Sequence, residues 1–163
     1  MVSIPISYIP KKIKKKDKKI LKKELKKSRR LYKKKKYYTR KHVKSFKSKV
    51  SPHIKNAMRI YNVKKVDSNN ELSKKTGCSK SALSKIINKG AGAYYSSGSR
   101  PNQTAMSWGK ARLASAITGG KSAAVDFHIL EKGCKKKSKA LKLAKKSRKK
   151  HGYGKRRRKS IKL

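Results

Sequence analysis

The chain opens with apolar residues at period two. Val2, Ile4, Ile6 and Tyr8 alternate with polar or proline positions, and Pro5 and Pro10 push their predecessors away from the helical region, so residues 1–10 read as an extended peptide. Five large apolar side chains on a free tail would be a liability, which makes Val2, Ile4, Ile6, Tyr8 and Ile9 candidates for docking on a partner's surface. A frayed terminus is the plainer alternative. Across residues 11–38 the apolar set is sparse: Ile13, Ile20, Leu21, Leu25, Leu31 and Tyr32, spaced as one narrow helical stripe among lysines. Like charges at i, i+4 oppose that helix, and Asp17 and Glu24 offset little of the repulsion, so it is expected to form only when bound. Residues 39–52 read as irregular, and Tyr37, Tyr38 and Phe46 interleave with cations as base-stacking or ordinary packing aromatics would.

The middle of the chain is more regular. A short helix is expected over residues 53–61, with Ile54, Ala57, Met58 and Tyr61 on one face. Residues 67–70 (Asp-Ser-Asn-Asn) form a turn and N-cap cluster, and residues 71–89 read as helical with a break at Gly77. Residues 90–103, rich in Gly and Ser, are expected to be a loop. A clear helix spans residues 104–118, with Met106, Leu113 and Ile117 on one face and Trp108 beside it, and Gly119-Gly120 stops it. Residues 122–130 suit a second helix, although Ala123, Val125, Phe127, Ile129 and Leu130 also fit a short buried strand.

Charge changes this picture. Of 163 residues, 52 are Lys or Arg and six are Asp or Glu, a formal net charge of +46. Residues 1–50 carry a net +20, residues 51–134 a net +10, and residues 135–163 a net +16 with no acid. One sign at this density opposes compaction and calls for a polyanionic partner, of which nucleic acid is the default. Acidic protein surfaces and anionic lipid headgroups are the other two candidates. The expected organisation is mainly α: a basic arm at 1–52, a small helical central domain at 53–134, and a basic tail at 135–163 that is disordered unless bound. No apolar run approaches the roughly 20 residues of a membrane-spanning helix, and the N-terminus lacks the basic and uninterrupted apolar regions of a signal peptide. Cys78 and Cys134 form no CxxC pair; two buried thiols are the plainer reading, with a single disulfide between them as the alternative.

The sharpest local pattern runs from Glu71 to Asn88. It resembles the helix-turn-helix of bacterial repressors. Gly77 falls where the turn needs positive φ, Leu72, Cys78, Leu83 and Ile86 where two helices must bury apolar groups, and Ser79 at the second N-cap. Ser73 stands where a small Ala is usual. The resemblance would aim Lys80, Ser81 and Lys85 at a major groove, while a hairpin used only for packing is the plain alternative. The Gly/Ser stretch ending at Arg100 could offer backbone N–H groups to a phosphate, but it lacks the Lys-Ser/Thr of a P-loop, so a connecting loop is the simpler reading. Arg100 and the tail residues Arg156, Arg157 and Arg158 complete the candidate nucleic-acid contacts. Asp126, His128 and Glu131 are close in sequence without a catalytic pattern, and Cys78, Cys134, His53 and His128 match no zinc spacing. No catalytic residue, metal, cofactor or small-molecule substrate is expected.

The block from Lys89-Gly90-Ala91-Gly92-Ala93-Tyr94-Tyr95 through Arg100-Pro101-Asn102-Gln103, Ser107-Trp108-Gly109, Ala111-Arg112-Leu113 and Thr118-Gly119-Gly120-Lys121 to Cys134 resembles a family of small basic proteins in large DNA viruses of algae and other protists. Val2-Ser3-Ile4-Pro5, Tyr8-Ile9-Pro10 and Tyr37-Tyr38-Thr39-Arg40-Lys41 are similar too. The resemblance implies a virus particle as the setting and carries no site residues. Three functions follow as expectations. The first is a minor capsid protein, held by its arms and N-terminal peptide on capsid proteins of the same particle. The second is a genome-condensing protein on double-stranded DNA, and the third a ribosomal RNA-binding protein. The viral readings place the chain in the virion, and in host cytoplasm or nucleus during assembly.

Overall fold

The computed structural model describes residues 2–154 and 159–163. The fold is mainly α. Among the described residues the order is β1 (Ser3–Pro5), a 3-10 turn (Ile6–Tyr8), α1 (Lys15–Lys33), α2 (Pro52–Tyr61), α3 (Asn70–Thr76), α4 (Lys80–Ser96), α5 (Ala105–Ile117), α6 (Lys121–Val125), α7 (Phe127–Gly133), α8 (Lys139–His151) and β2 (Ser160–Lys162). The chain forms two compact units. Unit 1 is Met1–Lys49 with Ala91–Trp108 and Arg157–Leu163, and unit 2 is Val50–Gly90 with Gly109–Arg156. These boundaries cut across the arm, centre and tail drawn from charge, because apolar residues far apart in the chain decide which segments pack.

Unit 1 is built from segments expected to be loose. β1 pairs with β2 antiparallel, with Ile4 opposite Ile161. Ile4, Tyr8, Ile9, Ile13, Leu21, Leu25 and Val43 form the core, with Trp108 and Phe46 packed against it. The period-two peptide therefore docks on its own chain. Ile4, Tyr8 and Ile9 are buried, Ile6 is half-buried and Val2 is exposed, so the expectation of a free partner-docking peptide is corrected. α1 packs on its own chain: Leu21, Glu24, Leu25 and Ser28 line its buried face and anchor a helix that lysine repulsion alone would oppose. Its two acids are used locally. Glu24 accepts from the Tyr38 hydroxyl at 2.9 Å and the Lys41 N–H at 2.8 Å, and burial, then the Glu24 bond, raises the Tyr38 phenol pKa. Asp17 accepts from the Ser45 hydroxyl and N–H, which hold its pKa below the usual carboxylate value.

Arg40 is the central polar group of unit 1. It is 7% exposed, donates to the Ser28 hydroxyl at 3.1 Å, the Tyr94 carbonyl at 2.7 Å and the Ser99 hydroxyl at 2.6 Å, and lies 3.8 Å from the Tyr94 ring centroid. Burial lowers its pKa, and neutral oxygens, a ring face and, at longer range, the Glu24 carboxylate stabilise the charge.

Unit 2 holds the expected helical core, with Leu72, Leu83, Ile86, Leu113, Ile117 and Leu130 all fully buried. The stretch expected to be a Gly/Ser loop instead continues α4 to Ser96. Gly90 is a packing residue: a Cβ there would lie 2.6 Å from the Gly109 Cα, and one on Gly109 would lie 2.5 Å from the Ile87 carbonyl oxygen. Glycine is what lets α4 and α5 approach this closely, so the composition that suggests a loop serves a helix crossing. Residues 122–130 divide into α6 and the start of α7, and the short-strand alternative does not occur. The basic tail likewise orders as α8, capped by Ser138, with Ala140, Leu141, Ala144 and Ser147 on its buried face. Cys78 and Cys134 form a disulfide, which corrects the expectation of two free thiols. Spacing alone could not reveal a pair separated by 56 residues.

Asp126 sits between α6 and α7 with no exposed surface. It accepts from Arg112 Nε at 2.7 Å and Nη2 at 2.8 Å, and Lys89 Nζ lies 3.1 Å from its Oδ1. This ties α4, α5 and the α6–α7 junction together. Asp126→Ala strands the half-buried Arg112 and is expected to cost about 2–4 kcal/mol, less than a fully buried pair because both cations reach solvent. Denaturant unfolding checks this, and a loss below about 0.5 kcal/mol would show that the pair is replaceable by water.

Candidate polyanion-binding site

The site grows from the α3–α4 hairpin. Asn69 caps α3 by accepting from the Leu72 N–H at 2.8 Å. Gly77, at φ +72°, ends the helix and donates its N–H to the Ser73 carbonyl at 3.0 Å. Ser73, the departure from Ala, donates its hydroxyl to the Cys78 carbonyl at 2.6 Å and so fastens the turn to α3. Ser79 caps α4, its hydroxyl oxygen accepting from the Ala82 N–H at 3.2 Å. Leu72, Cys78, Leu83 and Ile86 are buried as the pattern requires. Lys80, Ser81 and Lys85 are all exposed on the opening turns of α4.

A second basic segment is pinned beside this turn. The Ser79 N–H donates to the Gly133 carbonyl and the Lys135 N–H to the Gly77 carbonyl, both at 2.8 Å, and the disulfide joins Cys78 to Cys134 between them. Chain 133–138 thereby runs against the hairpin turn. It places Lys135, Lys137 and Lys139 around one concavity of about 320 Å³ shared with Lys74, Lys75, Thr76, Gly77 and Ser138. None of these eight residues is acidic. A Cβ on Gly77 would lie 2.9 Å from Ser138 Cβ, so glycine is required both for its φ and for this approach.

Arg100 is exposed in unit 1, whereas Lys80, Ser81 and Lys85 belong to unit 2. Arg156, Arg157 and Arg158 lie outside the described residues. Tyr37 is 72% exposed and packs at ring-centroid distances of 5.1 Å from Tyr95 and 6.2 Å from Tyr32, among the lysines that follow α1. Asp126 is engaged in its ion pairs, and His128 and Glu131 are exposed. Asp67 is bound by Lys110 at 2.9 Å, which holds its pKa below the usual carboxylate value. Among the described residues no three His, Cys, Asp or Glu side chains cluster as a metal site would need, and no helix is long and apolar enough to cross a membrane. Lys135, Lys137 and Lys139 were hidden in the sequence inside a uniform basic tail. Only the Cys134 bridge, which pattern does not show, sets them apart.

A model of a family of unknown function, DUF5824, matches residues 7–132, and the chain belongs to that family. No curated protein and no solved structure matches the chain. The matched segment contains the whole α3–α4 hairpin and ends just before Cys134 and the lysines beyond it.

Proposed function

We propose that this member of the DUF5824 family is a non-enzymatic structural protein of a virus particle that binds double-stranded DNA. The basic face of the α3–α4 hairpin grips the phosphates. One observation carries the reading: Lys80, Ser81 and Lys85 stand exposed on the start of a capped helix, beside a turn ringed by five further lysines. Lysines held on folded elements pay little ordering entropy when they meet phosphates, and each contact releases a counterion. The first N–H groups of α4 add positive potential in the same direction.

Four of the six acids are engaged away from these cations. Asp17, Glu24, Asp67 and Asp126 are engaged by Ser45, by Tyr38 and Lys41, by Lys110, and by Arg112 with Lys89. Even full pairing of six acids would leave a net +46, which a polyanion must neutralise. The viral setting rests on the resemblance carried by residues 89–134. Attachment to the shell drew on the basic arms and on an apolar N-terminal peptide; burial of Ile4, Tyr8 and Ile9 within the chain takes away the second of these, which supports the genome as the partner we favour.

Fractionating purified particles into emptied shells and released nucleoprotein tests the reading. The chain is expected to leave with the nucleoprotein at moderate salt. Recovery with the shells would make it a capsid component, and absence from the particle would return the ribosomal alternative.

A further inference from the structure

The lysine-lined concavity beside Gly77 differs from the rest of the basic surface. Here five lysines, from the end of α3, the segment before α8 and the first residue of α8, line one space of about 320 Å³, near the small end of the roughly 300–1,000 Å³ typical of small-ligand sites. We infer that this concavity binds a compact, multivalent phosphate anion, one per chain.

Three features support this. Five lysines border this concavity with no acid among its lining residues, and the disulfide and the Lys135-to-Gly77 hydrogen bond keep the two segments that carry them together. A polyanion turns the repulsion of like charges into attraction. Next, α8 has no acid in its first turn and begins with Lys139, which only Ser138 separates from Lys135, Lys136 and Lys137. Lysines at the positive end of a helix are opposed by its dipole, unless an anion sits between them and the free N–H groups. Last, Ser138 caps that same helix, its hydroxyl oxygen accepting from the Leu141 N–H at 3.3 Å, so the N-terminal turn is fixed where it meets the concavity. The ligand class follows from the count: several charges in a small volume suit an oligophosphate better than a single carboxylate or sulfate. These five lysines also belong to the proposed duplex-binding face, but the site does not need Lys80 or Lys85, so variants at those two residues separate the readings.

Titration calorimetry of the full chain with inorganic tripolyphosphate tests it. A single equivalent should bind. Lys135→Gln, Lys137→Gln and Lys139→Gln together should weaken that binding at least tenfold. Lys33→Gln, Lys34→Gln and Lys36→Gln, which remove the same charge from the exposed end of α1, should change it less than twofold. These side chains are exposed, and circular dichroism would verify that both variants fold. Equal losses in the two variants, or binding of many equivalents without a first tight one, would overturn the site and leave only diffuse attraction to positive charge. Repeating the titration on chain saturated with duplex DNA identifies the source of the phosphate. A site still open takes a free oligophosphate as inferred, and a site closed by DNA would make the concavity part of the duplex contact and overturn a separate compact ligand. Duplex binding by Lys80→Gln/Lys85→Gln, measured alongside, reports on the DNA reading alone.

Discussion

Duplex DNA should bind this protein about 10³–10⁴-fold more weakly at 200 mM salt than at 50 mM. The estimate counts only the cations placed by unit 2 around the hairpin: Lys80 and Lys85 on α4, and Lys74, Lys75, Lys135, Lys137 and Lys139 at the concavity. If all meet phosphates, the slope of log affinity against log salt is about −6, from roughly −0.9 per contact. Fluorescence anisotropy with a labelled duplex across that salt range measures it. Lys80→Gln with Lys85→Gln should flatten the slope by about two. Loss of affinity equal on all sequences would mark these lysines as phosphate contacts, and loss of preference between sequences would mark them as groove readers. A slope flatter than about −3 would mean that the hairpin face engages few phosphates, and would sink the duplex reading in its present form.

The hairpin was legible because its rules are local. Gly77 needs positive φ, Ser79 caps the helix it precedes, and Leu72, Leu83 and Ile86 follow a helical period, so each position speaks through its near neighbours. The helix expected over residues 104–118 emerges as Ala105–Ile117 for the same reason. What stayed hidden depends on distant partners. Ile4 alternates as a strand should, yet nothing nearby says that Ile161 lies opposite it. Gly90 looks like a loop residue until Gly109 arrives beside it. Arg40 reads as one cation among many, and only the convergence of Ser28, Tyr94 and Ser99 makes it a buried anchor.

The lysine-rich arms were misread for a related reason. Charge repulsion along α1 and α8 is real, but it is a sum of small solvated terms, each a few tenths of a kcal/mol. Burial of Leu21 and Leu25 on one helix, and of Ala140, Leu141 and Ala144 on the other, competes with it at roughly 1.5–3 kcal/mol per fully buried large side chain. A few well-placed apolar residues outweigh many exposed lysines. The lysines then become a fixed array, and fixed positive charge is what makes selective recognition of a polyanion reachable at all.

The disulfide carries the largest single contribution to stability expected in unit 2. Cys78 and Cys134 are 56 residues apart, and closing a loop of that length restricts the unfolded chain by about 4 kcal/mol. Cys78→Ala with Cys134→Ala should therefore lower unfolding stability by an amount of that order, and wild-type protein in reductant should fall by a similar amount. If reductant leaves the denaturant midpoint unchanged, the bridge does not contribute as its loop length implies. The same change should reach the concavity. Without the bridge, residues 135–138 are held to the hairpin turn by the Lys135-to-Gly77 and Ser79-to-Gly133 hydrogen bonds, and the lysines can spread apart under their own repulsion. Tripolyphosphate binding should weaken along with stability, while duplex contacts by Lys80 and Lys85 on α4 persist.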